Sequence, residues 1–367
     1  MLKDKRTYIV LGILVVALSF AAAMAFIVRK SPIGFLSPLA PSDVANSAQK
    51  PPIKNIQNPI TGILYTEEEA KPWVDIRPFA VMVNNHQDAR PQSGLISADI
   101  VYEVVAEGGI TRFLTFFLTN TPTKIGPVRS TREYYLVLVK ELGDAMLMHI
   151  GYSPQALIDI ESWPIRSLSR GGASFWRDTS LNVATEHTAY VNGVDLRKKG
   201  DELGWQGFKK FDSWKFKDLA TTYSNEKTAT KANYDFWYKG DFSVNWAYDD
   251  VNNVYKRFLG YDATGAPLPH TDRETKNQIT VKNVIVQFAT ESSIAGDEKH
   301  RLDYQLLGSG QALIFIDGKV INATWSKADR DSRTKFYDKN GQEIQFNRGN
   351  FWISVVPDRN IDQVKYE

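Results

Sequence analysis

The chain has 367 residues, enough for two folded domains plus accessory segments. Its 43% hydrophobic and 23% charged residues support a real core and exclude wholesale disorder. A net charge of +2, from 44 basic and 42 acidic side chains, gives no electrostatic basis for nucleic acid as partner. The absence of cysteine excludes disulfides, thiol catalysis and cysteine metal sites.

Residues 8–28, YIVLGILVVALSFAAAMAFIV, carry no charge. A spanning helix needs about 20 apolar residues, so this stretch predicts one N-terminal transmembrane helix. Lys3, Lys5 and Arg6 before it mark the cytoplasmic side under the positive-inside rule. The small residues of AAAMA also suit a cleaved signal peptide, but the apolar run is longer than a usual signal core. Both readings put the rest of the chain outside the cytoplasm, with the membrane as a partner through this segment. Residues 31–58 hold five prolines and no periodicity, which predicts a tether.

The first globular unit is expected over residues 59–235. FAVMVNN (79–85) reads as a buried strand closed by two asparagines. In DIVYEVVAEGGITRFLTFFLT (99–119) two β-rich runs flank Gly108-Gly109, the signature of a tight hairpin. A two-residue loop pairs Glu107 with Ile110 and Val105 with Arg112. Regular alternation then puts Glu103, Glu107 and Arg112 on one face, with Ile100, Tyr102, Val104, Ala106, Phe113 and Phe117 on the other. A cross-strand ion pair between Glu107 and Arg112 follows. Glu103 and Glu107 are four residues apart, roughly 13 Å of extended backbone. That separation fits poorly with a glycosidase pair, whose carboxylates lie about 5–5.5 or 6.5–9.5 Å apart.

In GPVRSTREYY (126–135), Ser130 and Glu133 have capping-box spacing, and an amphipathic run follows to Gly143. A helix is expected over about 131–142. Arg129 would then sit beside free backbone N–H groups at the positive end of the helix, favourable ground for an anion. DAMLMHIGY (144–152) reads as a strand with His149 packed inside it, and SPQALIDIES (153–162) as a second capped helix. Arg166, Arg170 and Arg177 surround Gly171-Gly172 and two tryptophans, an arrangement that suits a phosphate or sugar-acid pocket or an exposed surface equally.

At these residues the chain resembles the YerB-like family of envelope proteins of Gram-positive bacteria, catalogued as domain of unknown function 3048. The likeness rests on PFAVMVNNHQDARPQSGLISADIVYEVVAEGGITRF, on GPVRSTREYY, and on the later NVIVQ, TWSK and FWISVVP, in that order. It implies a membrane-attached extracytoplasmic protein of two domains and brings no established reaction. Many relatives look like lipoproteins, whereas this chain has no cysteine to lipidate. Around His187 the family tends towards Pro-His-Asn, where this chain has Glu186-His187-Thr188.

Residues 196–235 are charged and lysine-rich, a connection. From 236 to 367, short β-rich runs separated by Gly-Ser-Gly, Asp317-Gly318 and Asn340-Gly341 predict antiparallel hairpins in a small barrel or sandwich. Asp262, His270 and Asp272 have the residue types of metal ligands or an acid/base set, but their Gly/Pro-rich context reads as a polar loop. There is no HExxH, no P-loop and no G-x-S-x-G, so neither a metal nor a cofactor is expected.

The fold expectation is therefore α+β: a mixed-sheet N-terminal domain with helices, then a β-rich C-terminal domain. The leading functional expectation is a tethered binding or scaffolding protein with an anionic or glycan-like ligand. Its candidate ligand residues are Glu107, Arg112, Arg129, Ser130, Arg132, Arg177 and His187, with cell-wall polymer or another envelope protein as the expected partner. The alternatives are an envelope-polymer enzyme using Glu107 or Glu103 with Arg129, and a pure protein-interaction module.

Overall fold

The computed structural model describes residues 52–205, 207–218 and 223–367, and residues 52–367 form one compact unit. The predicted transmembrane segment and most of the tether lie outside the described residues. Among the described residues no helix is long and apolar enough to cross a membrane.

A ten-stranded mixed sheet forms the spine. Its order is Lys227–Thr228, Lys319–Lys327, Gly308–Ile316, Asn283–Ala289, Phe351–Pro357, Ile100–Glu107, Ile110–Phe117, Phe79–Asn84 and Met146–Met148, with Lys335–Tyr337 on the second of these. The join between early and late sequence is made by Phe351–Pro357, which pairs in parallel with both Ile100–Glu107 and Asn283–Ala289. All seven of its residues are buried, as expected of a central strand covered on both faces. The β-rich half therefore does not close on itself as a separate barrel or sandwich. It completes a sheet begun by the first half, because FWISVVP pairs along one edge with a strand from the first half and along the other with a strand from the second.

A second, six-stranded sheet runs Pro267–Pro269, Val254–Tyr261, Val244–Asp249, Lys231–Tyr234, Lys365–Tyr366, with Thr280–Val281 beside Val254–Tyr261. The glycine turns behave as local chemistry requires. Gly108 and Gly109 have φ of 57° and 78°, and Asp317 and Gly318 have 54° and 69°, the paired positive values of a tight hairpin. Gly-Ser-Gly, expected as a turn, instead opens the strand Gly308–Ile316. A Cβ at Gly310 would lie 2.6 Å from the Trp325 indole nitrogen, so glycine there serves close packing and not reversal.

The hairpin carries one departure from regular alternation. Glu107 pairs with Ile110, but Arg112 pairs with Val104 and Thr111 with Val105, leaving a bulge at Ala106. One extra residue on one strand exchanges the faces beyond it. Glu103 consequently shares a face with Phe113 and Thr111, whereas Arg112 lies on the face of Tyr102 and Val104. The predicted common face for Glu103, Glu107 and Arg112 is corrected accordingly.

Candidate functional site

The two glutamates sit in unlike surroundings. Glu103 is fully buried. Its Oε1 accepts from Thr111 Oγ1 (2.9 Å) and Asn85 Nδ2 (3.4 Å), and its Oε2 from Trp352 Nε1 (3.0 Å) and Arg257 Nη2 (2.5 Å). Arg257 also donates to His270 Nδ1 (2.7 Å), whose Nε2 meets Gln92 Oε1 (2.8 Å). Glu103 is thus a saturated link between the main sheet and the Val254–Tyr261 strand, with no lone pair turned to a substrate. This removes it as an acid/base candidate.

Glu107 lies on the other side of the bulge, clamped between two guanidinium groups. Arg112 Nη2 donates to its Oε1 and Arg132 Nη2 to its Oε2. The arginines are themselves braced, Arg112 on Ser130 O (2.9 Å) and Arg132 on Thr131 O (2.8 Å). Burial pushes the Glu107 carboxyl up, but Arg112 and Arg132 outweigh that and hold it below the ordinary carboxylate range. Burial, with Arg132 close by, brings Arg112 down to about 10. The predicted Glu107–Arg112 pair exists and its charges are spent on each other.

The helix that follows runs Glu133–Lys140, two residues later than expected, and starts from Arg132 without a side-chain cap. Ser130 Oγ donates to Ile150 O (2.9 Å), and the Glu133 carboxylate accepts from Ser153 Oγ (2.7 Å). The capping box does not form because both of its side chains find partners in the segment around residues 150–153. Arg129 accordingly does not border open helix amides. Its N–H donates to Met82 O (2.9 Å) and its carbonyl accepts from Ile150 N–H (3.1 Å), so its backbone is an edge stitch.

Its side chain is another matter. The Nε is buried with no hydrogen-bond partner, and its ion-pair contact, with Glu186 Oε1, is long at 4.0 Å. The side chain keeps 28% of its exposure. Unlike Arg112 and Arg132, which share the Glu107 carboxylate, Arg129 has no close carboxylate partner among the described residues.

Its neighbourhood is polar and dense. His187, buried at the end of the short turn Thr185–His187, places Nδ1 2.7 Å from Asn84 Nδ2. The His86 ring stacks on it, with centroids 4.5 Å apart and planes 14° apart. Asp88 Oδ2 is 3.6 Å from His86 Nδ1 and 3.9 Å from His187 Nε2. Burial, and then His86 and Arg129 close by, lower the His187 pKa below its usual value.

His86 and Asp88 are not among the residues that the sequence marks as candidates, although they lie just beyond the FAVMVN strand. The available signal was the H-x-D spacing at a strand end. Its partner His187 is 101 positions further on, beyond the reach of any local pattern.

The remaining candidates disperse. Arg166 contacts Asp144 (3.4 Å), Arg170 pairs with Glu161 (2.7 Å), and exposed Arg177 donates to Thr185 O at the foot of the His187 turn. The three arginines thus engage separate partners. His149 is buried, with its ring nitrogens on Gly151 O and Ser167 Oγ (both 2.8 Å), and burial lowers its pKa to about 4. Asp262 accepts from Thr264 and Ala266 within its loop, and Asp272 from Gly94 N–H (2.7 Å).

Two family models cover most of the described chain. The N-terminal domain of DUF3048, a protein of unknown function, matches residues 60–206, and its C-terminal domain matches residues 232–353. The chain belongs to the DUF3048 family. A relative named "Putative lipoprotein YerB", from Bacillus subtilis (strain 168), is 33% identical over 308 residues, spanning 83% of this chain and 87% of the relative. The crystal structure of YerB protein from Bacillus subtilis superimposes with a TM-score of 0.72 at 30% identity, covering 85% of this chain and all of that one. The Arg129–His187 cluster lies entirely within the DUF3048 N-terminal domain.

Proposed function

We propose that the protein is a membrane-tethered envelope protein that binds a phosphate- or carboxylate-bearing polymer where Arg129 emerges beside His187. The supporting observation is the state of that guanidinium: half-buried, without a partner on Nε, and 4.0 Å from its carboxylate neighbour Glu186. A guanidinium in that condition gains strongly from a bidentate acidic ligand, whereas Arg112 and Arg132 already share the carboxylate of Glu107, one on each oxygen.

The apolar segment 8–28 would hold the body at the outer membrane surface. The lipoprotein name of the relative supports an envelope location, and the lack of cysteine in this chain leaves that segment as its means of attachment. The enzyme alternative is disfavoured, because Glu103 and Glu107 lie on opposite faces and both are engaged.

The test is titration of the purified protein with cell-wall fragments and phosphorylated wall polymers, beside Arg129→Ala. Loss of a charge-assisted contact of about 1.5–3 kcal/mol predicts affinity roughly 10- to 150-fold weaker in the variant. Equal affinity in the two proteins removes Arg129 as the ligand contact.

A further inference from the structure

Beyond anion binding, the same edge of the sheet brings together the side chains of a metal centre. We infer that His86, Asp88 and His187 form a site for one divalent transition-metal ion, with Zn²⁺ the ion their chemistry suits. One ligand atom from each lies within 4.8 Å of the others. In a tetrahedral zinc site with bonds of about 2.0–2.2 Å, neighbouring ligand atoms are roughly 3.3–3.5 Å apart. The two Asp88 distances, 3.6 and 3.9 Å, need only a small contraction to reach that.

The histidine inventory points to the same pair. The chain has five histidines. His149 and His270 are buried with both ring nitrogens engaged, and His300 lies outside the cluster. His86 and His187 alone stand beside each other and beside a carboxylate.

Two imidazoles and one carboxylate favour zinc-like ions over magnesium or calcium, which prefer all-oxygen shells. Three protein ligands leave a fourth position free, the pattern of sites that bind an exogenous group. His187 is the fixed member, 7% exposed at its side chain, with Asn84 against Nδ1 and Nε2 directed towards Asp88. A turn of the Asn84 amide presents Oδ1 to that nitrogen and leaves Nε2 for the metal, at the cost of the hydrogen bond that Oδ1 accepts from His86 N–H (3.0 Å). His86 and Asp88 are the adjustable members, 35% and 51% exposed. Ligation requires His86 to tilt out of its stack on His187 and to release the 3.2 Å hydrogen bond from Asp88 N–H to its Nδ1. Arg129 beside the site disfavours a bare cation but favours one carrying an anionic fourth ligand, and Glu186 and Asp88 offset part of its charge.

The experiment uses the untagged full chain in a nonionic detergent, stripped with chelator and titrated with Zn²⁺ by calorimetry, with Mg²⁺ as the comparison ion. The expected result is one Zn²⁺ per chain and no Mg²⁺ isotherm. His86→Ala and Asp88→Ala change exposed side chains, and each should weaken Zn²⁺ binding by more than the ~10–100-fold typical of losing an outer-shell partner. His187→Ala should abolish it. Arg129→Ala should retain the Zn²⁺ isotherm, so loss of polymer binding in that variant is separable from loss of metal. A flat Zn²⁺ titration of the parent protein overturns the site. So does an isotherm that persists unchanged in the His86→Ala/Asp88→Ala double variant with a parental melting curve.

Discussion

Removing the charge of Glu103 should weaken the whole fold while leaving its surface untouched. In Glu103→Gln the side chain keeps its shape, but Arg257, which has no solvent exposure, loses the carboxylate it pairs with. The incoming amide NH₂ also faces the Trp352 and Arg257 donors, which previously met Oε2. Breaking one partner of a buried ion pair costs about 3–5 kcal/mol, a large share of the roughly 5–15 kcal/mol that holds a typical protein folded. At about 2 °C per kcal/mol for a body of this size, the melting temperature should fall by roughly 6–10 °C. Differential scanning calorimetry with a parallel urea titration reads the change. Arg257→Met should cost a similar amount. Because both lesions strike one network, the double variant should be less destabilised than the sum of the singles, by up to about 3 kcal/mol. A Glu103→Gln melt within about 2 °C of the parent, or strictly additive singles, would refute the idea that this pair joins the two sheets.

Glu107→Gln leaves Arg112 and Arg132 facing each other without a counter-charge and should destabilise by about 1–3 kcal/mol in a urea titration. Polymer binding through Arg129 should survive that substitution, and its loss would return Glu107 to the ligand site. His149 contributes a pH dependence. Its folded pKa, lowered by burial to about 4, lies below the ordinary 6.5, so its contribution is fully present above pH 6.5 and is lost as pH falls towards 4. Over that window the loss amounts to about 3 kcal/mol for this group, measurable as a melting temperature that drops with acid. His149→Gln should flatten the drop, and an unchanged profile in the variant would show that His149 is not the titrating group.

Local chemistry made much of this molecule legible. Gly108-Gly109 and Asp317-Gly318 announce their hairpins because positive φ is a property of the residues themselves. FAVMVN and FWISVVP announce buried strands because continuous apolar runs must be covered on both faces. The pairing of Glu107 with Arg112 was legible for the same reason, since it needs only a hairpin. The bulge at Ala106 was not, and a single unpaired residue moved Glu103 from the predicted site to the interior. The capping box at Ser130 failed because Ile150 O and Ser153 Oγ, brought up by tertiary folding, out-compete the local partners.

Hairpins and core strands followed from residue properties alone, because each depends on neighbours within a few positions. The sheet joining early and late strands, the open guanidinium of Arg129 and the meeting of His86 with His187 were decided only by the fold. Those contacts join residues tens to hundreds of positions apart, and burial then selects which charges are spent inside and which remain for a ligand.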